Sequence, residues 1–391
     1  MTAISDGVLR VGLLFSQTGP TAFVERTQSN AARLAIVQIN DAGGIGGKRI
    51  ETIEYDAESN PQRFAELAER LLTEDGVSLI IGCYMSSTRQ AIVPIVERHN
   101  ALLAYPAPYE GFEYSPNVIY GGAVPNQHIV KLARYMMRCY GRRFYLVGTR
   151  YAFPIESNRV MITVVTEHGG EVVAERYVRL DSTRHEFNAI VEDIRKKQPD
   201  VVFCTVVGEA ARRFYEAYEQ GLTEKPAVAG LTITEAEVAL MEPKLAAGHV
   251  TAATYFQSID SAANRKFLAA YDERYGGHTD VNAMAETAYS LTRLLLRAVE
   301  EAGSARPEAI RRELCRLSLD SPQGPISMDP ENNHFYLWPR IGKLSEAGQF
   351  EIVEESEASV RPDPYLIHHT IDTRSVEADL DDELTGGAGS S

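Results

Sequence analysis

The stretch GCYMSSTRQ, residues 82–90, sets Tyr84 and the adjacent hydroxyls of Ser86 and Ser87 directly after the apolar run VSLII. Hydroxyls in that position have two chemical uses. As nucleophiles they need a neighbouring base, yet neither a G-x-S-x-G elbow nor an S-x-x-K pair stands here, and no lysine occurs between Gly76 and Val130. As a grip, Ser86 and the free N–H groups at the start of a helix can hold a neutral carbonyl oxygen at the carboxyl end of a parallel strand. The plain structural use is an N-cap by Ser86, Ser87 or Thr88. Ala91, Ile92, Ile95, Val96 and His99 share one stripe and predict the helix, over 88–99.

Two aromatic segments follow other strand ends. YPAPYEGFEYSPNVIYGG (105–122) carries tyrosines among prolines, which stiffen a loop and offer flat apolar faces with hydroxyl tips. TRYAFPIESN (149–158) contributes Tyr151 and Phe153. Thr205, Val206 and Val207 end one further strand and Thr232, Ile233 and Thr234 another. Each segment alone reads equally as core or cap; together they outline two facing sheet edges around one small, mostly aromatic crevice. No metal, cofactor or catalytic residue is expected. The histidines at 128, 168, 185, 334 and 368–369 lack ligand spacing, and GGIGGKR (43–49) lacks the phosphate-loop pattern and leads into a strand.

The elements that position these residues alternate. Strands are predicted at 8–16, 49–57, 77–82, 102–106, 144–148, 171–180, 201–208, 227–231 and 250–256, with helices at 24–41, 61–74, 88–99, 261–275 and 283–302 among those between them. Such alternation implies βαβ units and parallel sheets, an α/β class with helices flanking each sheet. GPISMDPENNHFYLWPRIGKLSEAGQFEIVEE reads as β-ribbon with turns at Asp329-Pro330 and at 346–348. YGGAVPNQ (120–127) interrupts the rhythm and marks a crossing between lobes. The expected division is 1–122 plus 257–330 for one lobe and 123–256 plus 331–374 for the other, with a disordered acidic tail at 375–391.

A chain of 391 residues with 44% apolar and 24% charged side chains fits a globular protein of two lobes. No apolar run approaches the ~20 residues of a membrane span. The formal charge of −15 would repel a phosphate backbone, so direct nucleic-acid binding is not expected. Cys83, Cys139, Cys204 and Cys315 are widely spaced, as in a reducing compartment. The start, MTAISDGVLRVGLLF, lacks a basic region and an apolar leader core; a cytoplasmic location is expected, or a periplasmic one if a leader has been removed.

The order GCYMSSTR, YPAPYEGFEYSPNVIYGGAVPNQ, YAFPIESNRVM, FCTVVG, TITEAEV, YFQSID, SPQGPI and RPDPY, spanning about Val8 to Tyr365, strongly resembles the AmiC-type amide sensors. These are cytoplasmic negative regulators of amidase operons. The chain is similar, less closely, to urea and short-chain amide binding proteins of ABC transporters, and all share the type I periplasmic-binding-protein fold. The resemblance implies two α/β lobes joined by three crossings, with ligand trapped in the cleft between them. It implies a pocket of Tyr84, Ser86, Tyr105, Pro108, Tyr151, Phe153 and Val206, to which the strand-end reading adds Ile233. It implies no catalysis, and a partner: an RNA-binding antiterminator that the ligand-free sensor sequesters. Ala107 and Phe153 stand where the sensors have threonine and tyrosine, which removes two hydroxyls. The expected ligand is a small uncharged amide or urea, with Ser86 donating to its carbonyl oxygen. The alternative is a transporter's solute-binding protein; a homodimer is left open.

Overall fold

The computed structural model describes residues 4–5, 8–278 and 280–367. The acidic tail, His368-His369 and the end of the second lobe's expected range, 368–374, lie outside the described residues. The run VLRVGLLF forms the strand Val8–Phe15, buried along nearly its whole length because helices cover both faces of the sheet. It lies between parallel strands Arg49–Asp56 and Leu79–Gly82, and Leu102–Tyr105 and Val118–Tyr120 extend the sheet in the same sense. Ile4–Ser5 pairs antiparallel with the start of Val8–Phe15.

Helices Ala22–Asp41 and Ala283–Ala302 pack against each other on one face, burying Leu34, Ala35, Leu291 and Leu295 in one core. Helices Pro61–Thr73 and Ser86–Arg98 cover the other face through Phe64, Leu67, Ile92 and Val96. Each helix turns an apolar stripe inward, as the 3.6-residue spacing requires.

The second sheet has seven strands. Glu171–Val178, Arg143–Thr149, Val201–Thr205, Ala227–Gly230 and Val250–Ala253 run parallel in that spatial order. The hairpin of Arg340–Leu344 and Phe350–Glu355 adds antiparallel to the Val250–Ala253 edge. Between the sheets the chain crosses after Val118–Tyr120, returns after Val250–Ala253, and crosses again between Phe335–Tyr336 and Arg340–Leu344. A small sheet of Ser318–Ser321, Gly324–Met328 and Phe335–Tyr336 precedes the last crossing. The fold is thus α/β with two lobes, each a mainly parallel sheet flanked by helices.

Candidate functional site

The carboxyl ends of the parallel strands in both lobes meet at the crossings, the usual place for a crevice in open α/β sheets. Two small, partly open cavities lie there. One of about 40 Å³ is lined by Pro108 and Met284 from the first lobe and by Phe153, Ile233, Glu235 and Tyr255, among others, from the second lobe and the crossing. The other, about 20 Å³, shares Pro108, Phe153 and Met284 and adds Tyr84, Ser86, Tyr151 and Thr232. A larger opening of about 200 Å³ adjoins Tyr84 and is bounded by Thr21, Phe23, Leu180, Val207 and Glu209.

Six of the expected residues therefore come together: Tyr84, Ser86, Pro108, Tyr151, Phe153 and Ile233. Tyr105, Ala107 and Val206 do not line these cavities. Tyr105 is fully buried behind the wall; its hydroxyl donates to the Tyr84 carbonyl at 2.7 Å, and its ring lies 4.8 Å from the Arg89 guanidinium carbon. Ala107 is fully buried against Gly122, where an added Cβ would sit 2.2 Å from the Ala107 carbonyl carbon. Ala107 itself is not a lining residue, although its neighbours Pro108 and Gly122 are. Val206 points into the second lobe's core, and its carbonyl accepts from the Thr232 hydroxyl at 2.8 Å.

Ser86 also departs from expectation. It is the first residue of helix Ser86–Arg98, Met85 takes the N-cap position, and no side chain caps the helix. The strand turns into this helix through Cys83, held at φ 69°. The Ser86 hydroxyl donates to Glu110 Oε2 at 2.5 Å, so its single proton is committed inside the protein. Glu110 Oε1 accepts from Arg89 Nη2 at 3.1 Å, and Arg89 is fully buried. Arg89 Nε donates to Glu113 Oε1 at 2.8 Å, and the guanidinium lies over the rings of Tyr105 and Tyr109. Among the described residues, neither a backbone nor a side-chain acceptor is found for the Ser86 and Ser87 N–H groups, as at any helix start without a cap.

The second lobe brings two carboxyls that sequence reasoning missed. In helix Glu235–Val238, Glu237 accepts from the backbone N–H of Thr234 at 2.9 Å and from its hydroxyl, a capping box. Glu235 accepts from the Gln257 N–H at 3.1 Å and lines the larger of the two cavities. Burial pushes the Glu235 carboxyl up to about 8 and Glu237 up to about 7, against the pull of those hydrogen bonds. His128, which lines the same cavity, is driven down to about 4 by burial and is neutral. No arginine or lysine is among the described residues lining these two cavities. The Thr234-x-x-Glu237 pattern was a visible signal for the cap but carried none for the burial of Glu235.

Residues 9–370 match the family model of a periplasmic binding protein domain. The chain belongs to that family. Across 337 residues it is 24% identical to a Leu/Ile/Val-binding protein homolog 6 of Brucella melitensis, covering 84% of this chain and 85% of that protein. Among solved structures, a solute binding protein of an ABC transporter from Rhodopseudomonas palustris BisB5, in complex with 3,4-dihydroxy benzoic acid, superposes with a TM-score of 0.82 at 23% identity, over 91% of this chain and 99% of the other. A leucine-, isoleucine-, valine-, threonine- and alanine-binding protein from Brucella ovis, in a closed conformation, gives 0.80 at 18% identity over 90% and 96%. As a periplasmic binding protein family member, the chain binds a small molecule and is not an enzyme. Among the described residues no helix is long and apolar enough to cross a membrane. These comparisons show the family and not the narrower likeness to amide sensors.

Proposed function

We propose that the chain is a solute-binding protein that closes its two lobes over a small uncharged ligand carrying an amide or urea group. The observation that carries this reading is the make-up of the cleft: a mostly apolar and aromatic lining carries a few polar residues, Ser86, Glu235 and threonines, and no cationic side chain among the described lining residues stands ready for a ligand carboxylate. A carboxylate would also meet Glu110 directly behind Ser86. An amide offers acceptor and donor side by side. Its oxygen fits the free N–H groups at the helix start, and its NH₂ group fits Ser86 Oγ or Glu235.

A ligand of about four heavy atoms gains at most roughly −6 kcal/mol, a Kd of tens of micromolar. So small a ligand shifts the lobes only by touching both of them in the closed state. Residues Tyr84, Ser86 and Pro108 of one lobe and Tyr151, Phe153 and Ile233 of the other supply that double contact. For the described residues we place the lobes at 8–122 plus 257–336 and 123–256 plus 340–367, with the third crossing at Leu337–Pro339, between the last strand of the small sheet and the first of the final hairpin, a few residues beyond the expected boundary at 330/331.

Delivery to a transporter, outside the cytoplasmic membrane, is favoured over the sensor reading because several solved structures alike over most of the chain are named as solute binding proteins of ABC transporters. The sensor reading, with a cytoplasmic location and an antiterminator partner, is supported by the motif order alone. It predicts a ligand-free complex with the antiterminator that amide dissolves, observable by co-purification.

Calorimetry against urea, formamide, acetamide, butyramide and leucine tests the ligand class; binding of leucine alone sinks the amide reading. Ser86→Ala is expected to weaken amide binding by about 1–3 kcal/mol, the cost of leaving a buried hydrogen-bonding group unpaired. An unchanged affinity removes Ser86 from the site.

A further inference from the structure

We propose that Glu110 is the positioning residue that sets the ligand specificity of the cleft, by taking the only proton of Ser86 and leaving that hydroxyl as an obligatory acceptor towards the ligand. The inference rests on the amide reading above and names the side chain that enforces it.

A serine hydroxyl has one O–H and two lone pairs. Here the O–H is spent on Glu110 Oε2, and Ser86, only 2% exposed, is among the residues lining the smaller cavity. A ligand that reaches Ser86 Oγ therefore meets lone pairs. The carboxylate has little freedom to turn away, because its other oxygen is tied to Arg89 at 3.1 Å. Arg89 is itself held by Glu113 and by the rings of Tyr105 and Tyr109. Next to this acceptor stand donors of fixed sense, the N–H groups of Ser86 and Ser87 at the helix start.

Donor and acceptor side by side complement a carboxamide, which carries the opposite pair. An isosteric carboxylate has acceptors only, so it satisfies the N–H groups but faces the lone pairs of Ser86 and the charge of Glu110. Glutamine in place of Glu110 reverses the logic. Its NH₂ group can donate to Ser86 Oγ, which frees the serine proton for a ligand acceptor and removes the negative charge. A purely structural role for Glu110 would weaken both ligands alike.

The test is calorimetry of acetamide and acetate, matched in size, with wild type, Glu110→Gln and Ser86→Ala. Wild type is expected to prefer acetamide. Glu110→Gln is expected to lower the acetamide-to-acetate affinity ratio by about tenfold or more, equivalent to about 1.4 kcal/mol. Ser86→Ala, which removes the acceptor and keeps Glu110, checks the same point if the glutamine variant fails to fold: its ratio should also fall, because only the amide loses a partner. A wild type that prefers acetamide, with ratios in the variants within about threefold of its own, overturns this inference alone. A wild type that binds acetate better, or neither ligand, overturns the amide reading with it.

Discussion

Replacing Arg89 with methionine is expected to destabilise the protein by about 3–5 kcal/mol, read as a lowered midpoint in chemical denaturation. The side chain is fully buried and divides its donors between two carboxylates: Nε and Nη2 to Glu113 at 2.8 and 3.1 Å, and Nη2 to Glu110 at 3.1 Å. Its guanidinium carbon also lies 4.5 Å from the centre of the Tyr109 ring. Methionine fills much of the space and keeps the apolar contacts. What it cannot do is neutralise Glu110 and Glu113, whose side chains are 6% and 20% exposed. Two carboxylates left without a counter-charge in a mostly dry site account for the penalty, and Tyr120, which donates to Glu113 Oε1 at 3.1 Å, only partly offsets it. The ion network as a whole need not stabilise the fold, since desolvation cancels much of its attraction. Replacing Arg89, Glu110 and Glu113 together by apolar residues should therefore recover most of the stability while losing amide binding. A loss under about 1 kcal/mol in Arg89→Met would show that water or protonation already relieves the pair.

The alternation of strands and helices was legible because it rests on local periodicity: apolar runs such as VSLII and VVFCT can only be buried in parallel sheets, and the amphipathic stripes between them need no distant information. Residues facing the cleft were legible where the chain leaves a strand with an aromatic or hydroxyl side chain, as at Tyr84, Ser86, Tyr151 and Phe153. Orientation at a strand end was not. One residue of difference sends a side chain to the opposite face, which puts Val206 in the core and Val207 at the cleft mouth, and lodges Tyr105 behind Tyr84. The direction of the Ser86 hydrogen bond was illegible for another reason. It depends on Glu110, 24 residues on in an irregular loop with no period to read. Glu235 and Glu237 look like an ordinary acidic first turn; the burial of Glu235 depends on the distant lobe crossing, where the Gln257 N–H donates to it and Tyr255 lines the same cavity.

Those buried carboxyls predict an unusual pH profile: folding stability should fall by on the order of 3 kcal/mol between pH 6.5 and 8.5. Burial raises Glu235 to about 8 and Glu25, Glu237 and Glu286 to about 7, from an ordinary 4.5. Hydrogen bonds pull the other way without winning, as with the Ser290 hydroxyl and the Gln323 amide on Glu286, both at 2.6 Å. The sign follows from proton counts. Above pH 4.5 the unfolded chain has lost these protons and the folded chain keeps them, so the folded state binds more protons and stability declines until pH passes the folded values. Over the window chosen the four groups account for a loss of about 4 kcal/mol. Neutral buried histidines oppose this. His128, His249 and His334, lowered by burial to about 4, 3 and 4, destabilise the fold only where the unfolded chain is protonated, and they return about 1 kcal/mol as pH rises from 6.5. Glu235→Gln isolates one share, because glutamine can still accept from the Gln257 N–H through its carbonyl oxygen. That variant should lose about 2 kcal/mol less than wild type across the same interval, since a carboxamide has no proton to give up. Urea or guanidinium unfolding at the two pH values reads both numbers. A wild-type stability that is flat or rising from pH 6.5 to 8.5 would mean that water reaches these carboxyls and that the folded protein holds them ionised, in which state Glu235 would favour a cationic ligand over a neutral amide.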